Sequence, residues 1–266
     1  MTQVHEILTD DGSGFSFLGD IAVKLRDLSL EQVTGVEASA PEFSTALIKI
    51  RIAGSRTDAA IQSHALVQRR YAERGYDLPP ATPDPNLYTV AAYDKGQLVG
   101  TVGVRLDSTR SLAADELYPG ELAALRIRSL QLCEFTRLAV DDSAMSKTVL
   151  ASLFHTAYLY AHRLCGVDAA VIEVNPRHVP FYIRALQFER VGPQRHNLRV
   201  DAPAVLLFVP FERIAEGVAR YAGKPELADS TRTLYPYGFS PVEEAGILNR
   251  LHLQQEARQY LSAQRH

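Results

Sequence analysis

The sequence has no tryptophan, only two cysteines and no excess of positive charge. Cys133 and Cys165 stand among apolar residues without the CxxC spacing of redox and zinc sites, which favours a reducing cytoplasm. Lysine and arginine total 28 against 31 acidic residues, a net charge of −3, so no overall positive field attracts nucleic acid. We therefore expect a cytoplasmic protein that binds neither DNA nor RNA.

Long apolar runs and metal-binding spacings are also missing. The longest apolar runs, such as AVLLFVPF over 204–211, are far shorter than the about 20 residues that span a bilayer. The opening MTQVHEILTDDGSG is too polar and acidic for a signal peptide. No histidine pair has HxxxH spacing and no serine lies in a G-x-S-x-G elbow. We expect neither an integral membrane protein, nor a metal site, nor a Ser-His-Asp hydrolase.

Local patterns predict that regular structure begins near residue 44. Residues 1–43 show no sustained period and are interpreted as a poorly structured arm with one short helix around LGDIAVKLRDL. TALIKIRIA then alternates as a strand, and TDAAIQSHALVQRRYAERGY predicts a helix that Asp58 caps and Gly75 ends. The turn DKG over 94–96 joins two strand-like runs, which predicts a β-hairpin.

Two apolar strands are expected at the centre of the sheet. LCEFTRLAV over 132–140 contains two charged residues, and DAAVIEV over 168–174 is short, continuous and β-branched. A core-facing helix lies between them and ends before Gly166, so the strands are predicted to be parallel with that helix as crossover. PFYIRAL then predicts a short helix and PAVLLFVPF a last strand. The remaining chain is predicted to be helical, with leucines that dock on the body: Leu248, Leu251 and Leu253.

The order of these elements resembles the GNAT superfamily of acyltransferases over roughly residues 45–211. NPRHVPFYIRALQF is similar to its N…a…fY…lGF signature, with Gln187 in place of the glycine. EFTRLAV and the hairpin GQLVGTVGVRL resemble acyl-homoserine-lactone synthases and long-chain N-acyl amino acid synthases, and LRVDAPAVLLFVPF is most similar to the latter. The resemblance implies an α/β fold: a mixed, largely antiparallel sheet with two splayed central parallel strands flanked by helices. It divides the chain into an N-terminal arm (1–43), an acyltransferase domain (44–211) and a C-terminal helical extension (212–266) packed on that domain.

The loop after the first central strand differs from that of GNAT enzymes that use coenzyme A. Those enzymes usually carry a Q/R-x-x-G-x-G/A loop, whose bare amides approach a pyrophosphate. Here DDSAMSK over 141–147 contains no glycine and opens with two acids, which we expect to repel a pyrophosphate. Acyl carrier protein (ACP), which presents a phosphopantetheine thioester, is the expected donor, with Lys147 and Arg163 as candidate contacts. No permanently bound cofactor is expected.

The resemblance implies transfer of a long-chain acyl group from acyl-ACP to the α-amine of an amino acid. One alternative is an acyl-homoserine-lactone synthase that uses S-adenosylmethionine, although the chain lacks the tryptophan of its usual N-terminal arginine-aromatic-tryptophan set. Another is a non-catalytic module that binds acyl-ACP or lipid, because a fold alone does not establish an activity. The amphiphilic product suggests at most transient contact with a membrane surface.

Glu134 and Tyr182 are the predicted catalytic residues. Strand alternation places Glu134 and Val140 on one face and Arg137 on the other. Facing the cleft, Glu134 is expected to take the ammonium proton, with a structural ion pair to Arg105 or Arg137 as the alternative. By the resemblance, Tyr182 donates a proton to the leaving thiolate.

The other candidate residues are expected to bind substrate. One arginine should hold the carboxylate of the amino acid in a two-pronged contact, and backbone N–H groups near 138–140 should hold the oxyanion. The predicted substrate-binding residues are Arg105, Arg128, Thr136 and Arg137, with Arg126 as a further arginine. The predicted acyl and pantetheine contacts are Phe135, Leu138, Val140, Lys147, Val174, Asn175 and Phe181.

Overall fold

The computed structural model describes residues 20–24, 47–54, 57–76, 83–142 and 146–263. The strands are β1 Asp20–Lys24, β2 Leu47–Gly54, β3 Leu87–Asp94, β4 Gln97–Leu106, β5 Leu132–Val140, β6 Ala169–Val174, β7 Glu189–Arg190, β8 Arg195–Asn197 and β9 Ala202–Pro210. They form one sheet in the order β1-β2-β3-β4-β5-β6-β9-β7, with β8 paired to β9. Neighbouring strands are antiparallel except β5 and β6, which are parallel. This confirms the predicted fold class.

Helices cover both faces of the sheet. They are α1 Asp58–Ala72, α2 Pro119–Ile127, α3 Lys147–Tyr158, α4 Val179–Leu186, α5 Phe211–Tyr221 and α6 Pro241–Ala263. α3, α4, α5 and α6 contribute to the large core that contains Phe135, whereas α1 packs on Ala139 and α2 on the strand residues around Val171. The helix α3 is the predicted crossover between the two parallel strands, and it continues as a π-helical segment, Leu159–Leu164, that stops before Gly166.

Residues 20–24 form a strand, so the helix predicted there is wrong for these residues. β1 pairs with β2 in antiparallel register, Asp20 opposite Arg51 and Lys24 opposite Leu47. The edge of β2 offers hydrogen-bond partners that a local helical pattern does not reveal, and the β-branched Ile21 and Val23 favour an extended backbone. The rest of the predicted arm lies outside the described residues.

Two local signals set the start of α1 and the β3–β4 hairpin. Thr57, not the predicted Asp58, caps α1, because its Oγ1 accepts a hydrogen bond from the Ala60 N–H at 3.3 Å. The hairpin turns through Lys95 at φ 48° and Gly96 at φ 84°. Two successive positive φ values are what a tight two-residue turn requires, as DKG predicts.

After β9 the chain continues as α5 and α6, which pack on the same face as α3. Leu248 and Leu251 of α6 are buried in the large core, as predicted, together with Ile247. Leu253, predicted to dock beside them, is 64% exposed. Two residues after Leu251 it has turned about 200° around the helix axis, away from the buried stripe.

The central strands β5 and β6 pair over only three residues each, 132–134 with 169–171, and then separate. Next to this fork, β5 bulges against β4: Thr136 lies opposite Gly103 and Ala139 opposite Thr101, so two residues of β5 face one of β4. The bulge reverses the alternation, because Val140 joins the core of Phe135 while Ala139 packs under α1. The predicted faces are therefore right up to Thr136 and wrong for Val140.

Candidate active site

The separation of β5 and β6 opens a cleft of about 310 Å³. The second half of β5 forms one wall, the end of β6 and the first turn of α4 form another, and residues at the end of α1 also line it. Much of the lining is apolar, which suits an alkyl chain. The apolar and aromatic lining residues include Phe135, Leu138, Val140, Leu150, Ile172, Val174, Phe181 and Tyr182.

Arg137 stands at the bulge with a backbone φ of 53°. Strained backbone of this kind persists where the surrounding structure enforces it, often at functional sites. The side chain lines the cleft, half-buried, and no carboxylate of the described chain lies within 4 Å of its guanidinium. Burial and the charge of Arg105 lower its pKa, but a guanidinium stays protonated. A cation in a cleft wall that has no carboxylate partner among the described residues is chemically able to bind an anionic group.

The other predicted arginines are ion-paired or lie away from the cleft. Arg105 pairs with Asp84, Nε to Oδ2 2.9 Å. Arg126 pairs with two aspartates at 2.7 and 2.6 Å. Arg128 follows α2 and is exposed, ahead of the N-terminal end of β5, whereas the bulge is in the C-terminal half of that strand. Arg137 is thus the predicted arginine that the fold brings to the cleft wall.

Glu134 is buried, 2% exposed, and does not line the cleft. Its Oε2 accepts hydrogen bonds from the backbone N–H groups of Ala113 at 2.6 Å and Ala114 at 3.3 Å, at the start of a 3₁₀ turn. Burial raises the pKa of this carboxyl, and the charge of Arg105, opposite it in the ladder, counteracts the rise. These contacts favour a role in holding the turn against β5.

Replacing Glu134 by Ala is expected to lower the free energy of unfolding by about 3 kcal/mol, because two backbone N–H groups lose their acceptor. Glu134→Gln keeps an acceptor oxygen in the same place and should cost less than about 1 kcal/mol. Urea denaturation followed by circular dichroism measures both values. Equal losses in the two variants would contradict the role of Glu134 as the acceptor for this turn.

Glu173 is the one residue of the described chain that brings a carboxylate to the cleft wall. It lies on the same face as Glu134, because Glu134 pairs with Val171 two residues earlier. Its carboxylate accepts hydrogen bonds from Asn197 Nδ2 and from Arg199 Nη2, the latter at 3.2 Å. Burial raises the pKa of Glu173, and the charge of Arg199 opposes that rise. A partly buried carboxylate of raised pKa in a cleft has the properties of a general base.

Tyr182 lies in α4 with its ring edge-on to Phe154 and Phe188, at centroid distances of 6.3 and 5.9 Å. Burial raises its pKa, so the phenol stays protonated. Its hydroxyl has no hydrogen-bond partner among residues 20–24, 47–54, 57–76, 83–142 and 146–263. A protonated phenol on the cleft wall is chemically able to donate a proton to a ligand.

Tyr76 links the segment after α1 to the end of β6. Its hydroxyl accepts hydrogen bonds from Asn175 Nδ2 at 3.1 Å and from Arg177 Nη2 at 3.0 Å. The Asn175 Oδ1 in turn accepts from the Arg177 N–H at 3.1 Å. Asn175 also lines the cleft, where a pantetheine contact is predicted, and its side-chain amide already has protein partners.

The two acids after β5 are paired with arginines of α1. Arg69 contacts Asp141 at 2.8 Å, and Arg70 binds both carboxylate oxygens of Asp142. Their charge is thus compensated within the protein, which removes the argument that they repel a pyrophosphate. Residues 143–145 of this loop lie outside the described residues.

Nine of the predicted site residues line this one cleft. Of the others, Glu134, Arg105 and Arg128 do not line it, and Lys147 is exposed at the start of α3 with its Nζ 5.2 Å from the centre of the Tyr237 ring. The nine are Phe135, Thr136, Arg137, Leu138, Val140, Val174, Asn175, Phe181 and Tyr182.

Sequence reasoning missed several polar residues of the cleft. Glu173 is identifiable from sequence, because it is a single charge inside the apolar run AAVIEV, the same pattern that makes Glu134 a candidate. For the others no local signal existed, because they meet β5 and β6 only in the folded chain. The missed residues are Tyr71, Arg74, Tyr76, Glu173 and His178.

No cluster of three metal-ligating side chains exists among the described residues. In the same part of the chain, no helix has the length and apolar character needed to cross a membrane. Cys133 is a buried free thiol and Cys165 an exposed one.

Residues 62–210 match the sequence profile of a family described as N-acyl amino acid synthase FeeM. The solved structure of FeeM, an N-acyl amino acid synthase from uncultured soil microbes, is 27% identical with a TM-score of 0.56, covering 61% of this chain and 95% of that chain. The acyl-homoserine-lactone synthase LasI is 14% identical (TM-score 0.45; 62% and 91% covered), and the CoA-dependent synthase BjaI is 13% identical (TM-score 0.48; 61% and 83% covered). No curated protein matches in sequence.

Proposed function

Because the chain belongs to the FeeM family of N-acyl amino acid synthases and is an acyltransferase, we propose that it transfers a long-chain acyl group from acyl-ACP to the α-amine of an amino acid. The observation that supports this proposal most is the guanidinium of Arg137, which lies in a cleft with apolar walls and has no carboxylate partner among the residues that the structure describes. The positive charge of Arg137 suits the carboxylate of the acceptor, and the apolar walls suit the alkyl chain of the donor.

An amino acid held by its carboxylate at Arg137 keeps its α-amine close by, because both groups share one carbon atom. In this proposal Glu173 takes a proton from the ammonium and so generates the nucleophilic amine. Its raised pKa, caused by burial, brings the carboxylate nearer to the basicity that this transfer needs. Glu134, acting through a water molecule, is the alternative base.

The neutral amine then attacks the thioester carbonyl carbon, the new C–N bond forms and the C–S bond breaks. Backbone N–H groups at 138–140 are proposed to hold the oxyanion, because the ladder between β5 and β6 ends at Glu134 and leaves this part of β5 without β6 as a partner. The departing thiolate takes a proton from Tyr182, whose burial keeps the phenol protonated until that step. The phenolate left on Tyr182 then takes the second proton from the nitrogen of the new amide. No covalent acyl-enzyme is required.

The choice of ACP as donor rests on the loop after β5, which contains no glycine to let a pyrophosphate approach its backbone. Exposed cations also suit an acidic carrier: Arg74 lines the cleft, and Lys147 lies one helical turn before Leu150, which lines it. The two free cysteines fit a cytoplasmic location. Contact with a membrane surface would be limited to release of the amphiphilic product.

Purified protein incubated with acyl-ACP or with acyl-CoA of the same chain length, together with all amino acids, tests this proposal. Mass spectrometry should detect an N-acyl amino acid with acyl-ACP as the better donor; tyrosine is the first acceptor to try, by family resemblance. Product from acyl-CoA alone would overturn the donor assignment. A lactone made only with S-adenosylmethionine would favour the lactone synthase, and binding of acyl-ACP without thiol release would favour the non-catalytic module.

A further inference from the structure

An apolar cavity of about 20 Å³ lies behind the cleft, on the α3 side of the sheet. The acyltransferase domain provides part of its wall through Phe135, Ala151, Phe154, His155, Leu186 and Phe188. The C-terminal extension provides the rest through Ile214, Val218, Leu234, Tyr235 and Gly238. Apolar cavities of proteins stay dry and accept apolar guests.

Phe135 lines both this cavity and the cleft, so it forms part of the partition between the two spaces. Phe154 also lines the cavity, with its ring 6.0 Å from that of Phe135 and 6.3 Å from that of Tyr182, which lines the cleft. The partition therefore includes aromatic side chains, which are able to rotate. An alkyl chain that passed this partition from the cleft would enter the cavity.

We propose that the C-terminal extension closes the far end of the acyl-chain site and so sets the length of acyl chain that the protein accepts. The inference rests on the proposed function for the identity of the chain as an acyl group. It concerns residues outside the family match, which ends at residue 210. The cavity volume of about 20 Å³ is little larger than the space that one water molecule needs. The cavity therefore has room only for the end of an alkyl chain.

The extension is well fixed to the domain, as an end wall must be. The Leu234 N–H donates to the Ala185 carbonyl at 2.9 Å, and the Phe239 N–H donates to His155 Nδ1 at 3.1 Å. The Phe239 ring stacks on the His155 ring at 4.9 Å, and a Cβ added at Gly238 would lie 2.8 Å from His155 Nδ1. Backbone and side-chain contacts on both sides of the cavity therefore hold its walls in place.

Two variants change the size of the cavity in opposite directions. Leu234→Ala enlarges it from the extension side, and Ala151→Leu fills it from the α3 side. Because each methylene buried changes affinity by about fourfold, a shift of two methylenes should change the ratio of longer to shorter chains by about tenfold or more. Leu248→Ala is the matched control: it truncates a buried leucine of the extension that does not line the cavity.

The experiment measures two quantities for the wild type and the three variants: the distribution of products from an equimolar mixture of acyl-ACP donors of graded length, and the affinity for free fatty acids of the same lengths. Leu234→Ala should move both preferences to longer chains, Ala151→Leu to shorter ones, and Leu248→Ala neither. Unchanged preferences in folded Leu234→Ala and Ala151→Leu proteins would overturn the inference. If the fatty-acid preferences shift as expected but neither the wild type nor any variant forms product, the role of the extension as the end wall is supported and the proposed reaction is overturned.

Discussion

The Glu173→Gln variant is expected to lose about 100-fold or more of kcat while it still binds the acyl donor, because general base catalysis typically contributes a factor of this size. Glutamine keeps an oxygen for the hydrogen bond from Asn197 but cannot accept the ammonium proton. Single-turnover rates with saturating amino acid measure the chemical step, and retention of acyl-ACP on the protein measures donor binding. A variant that turns over at the wild-type rate would remove Glu173 from the mechanism.

The pH dependence of the rate distinguishes a base from a structural residue. Burial raises the pKa of Glu173, so the wild type should lose activity as the pH falls through a value above that of an exposed carboxylate. Glu173→Gln should lack this acid limb, and its residual rate should rise with pH as the free amine of the acceptor accumulates.

Arg199→Gln is the matched control for Glu173→Gln, because it removes the same ion pair and leaves the carboxylate. The charge of Arg199 lowers the pKa of Glu173, so its loss should move the acid limb to higher pH and keep the plateau rate. Glu134→Gln tests the alternative base. A loss of kcat confined to Glu134→Gln would transfer the role to Glu134.

Arg137→Ala is expected to raise KM for the amino acid by about 100-fold, the effect of losing a two-pronged, charge-assisted contact with a carboxylate. Arg137→Lys retains the charge but not the planar fork and should cost about tenfold. Alanine, like arginine, carries a Cβ, so the strain of the φ value of 53° is not relieved by either change. Initial rates at graded amino acid concentration measure these effects.

Comparison with a decarboxylated acceptor makes this test specific. The wild type should use an amino acid about 100-fold better than the amine that lacks its carboxylate, whereas Arg137→Ala should use the two about equally. Arg128→Ala changes an exposed arginine away from the cleft and should behave as the wild type. Equal use of both acceptors by the wild type would show that no carboxylate contact contributes to catalysis.

The parts of the fold that depend on neighbours in sequence were predictable. The β3–β4 hairpin follows from DKG, and the parallel arrangement of β5 and β6 follows from two apolar runs separated by an amphipathic helix. Gln187 adopts φ 59° at the end of α4, so this residue fills the left-handed position where the related signature has glycine.

The parts that depend on distant pairing were not predictable in the same way. The bulge at Arg137 exists because β5 is one residue longer than β4 over this interval, and no property of EFTRLAV reveals that register. Glu134 accepts hydrogen bonds from backbone N–H groups about 20 residues earlier in the chain. Asp142 is bound by an arginine of α1 that lies 72 residues earlier. Sequence identifies such charges as unusual but does not identify their partners.

The short pairing of β5 with β6 gives the sheet two internal edges. Beyond Glu134 and Val171 the backbones of β5 and β6 no longer pair with each other. β6 remains paired with β9 on its other side. Such edges elsewhere invite an additional strand, because their N–H and C=O groups need partners. The pantetheine arm of the proposed donor carries amide groups along an extended chain and would occupy the place of that strand. Substrate binding would then be a form of sheet completion, with the donor as a temporary part of the fold.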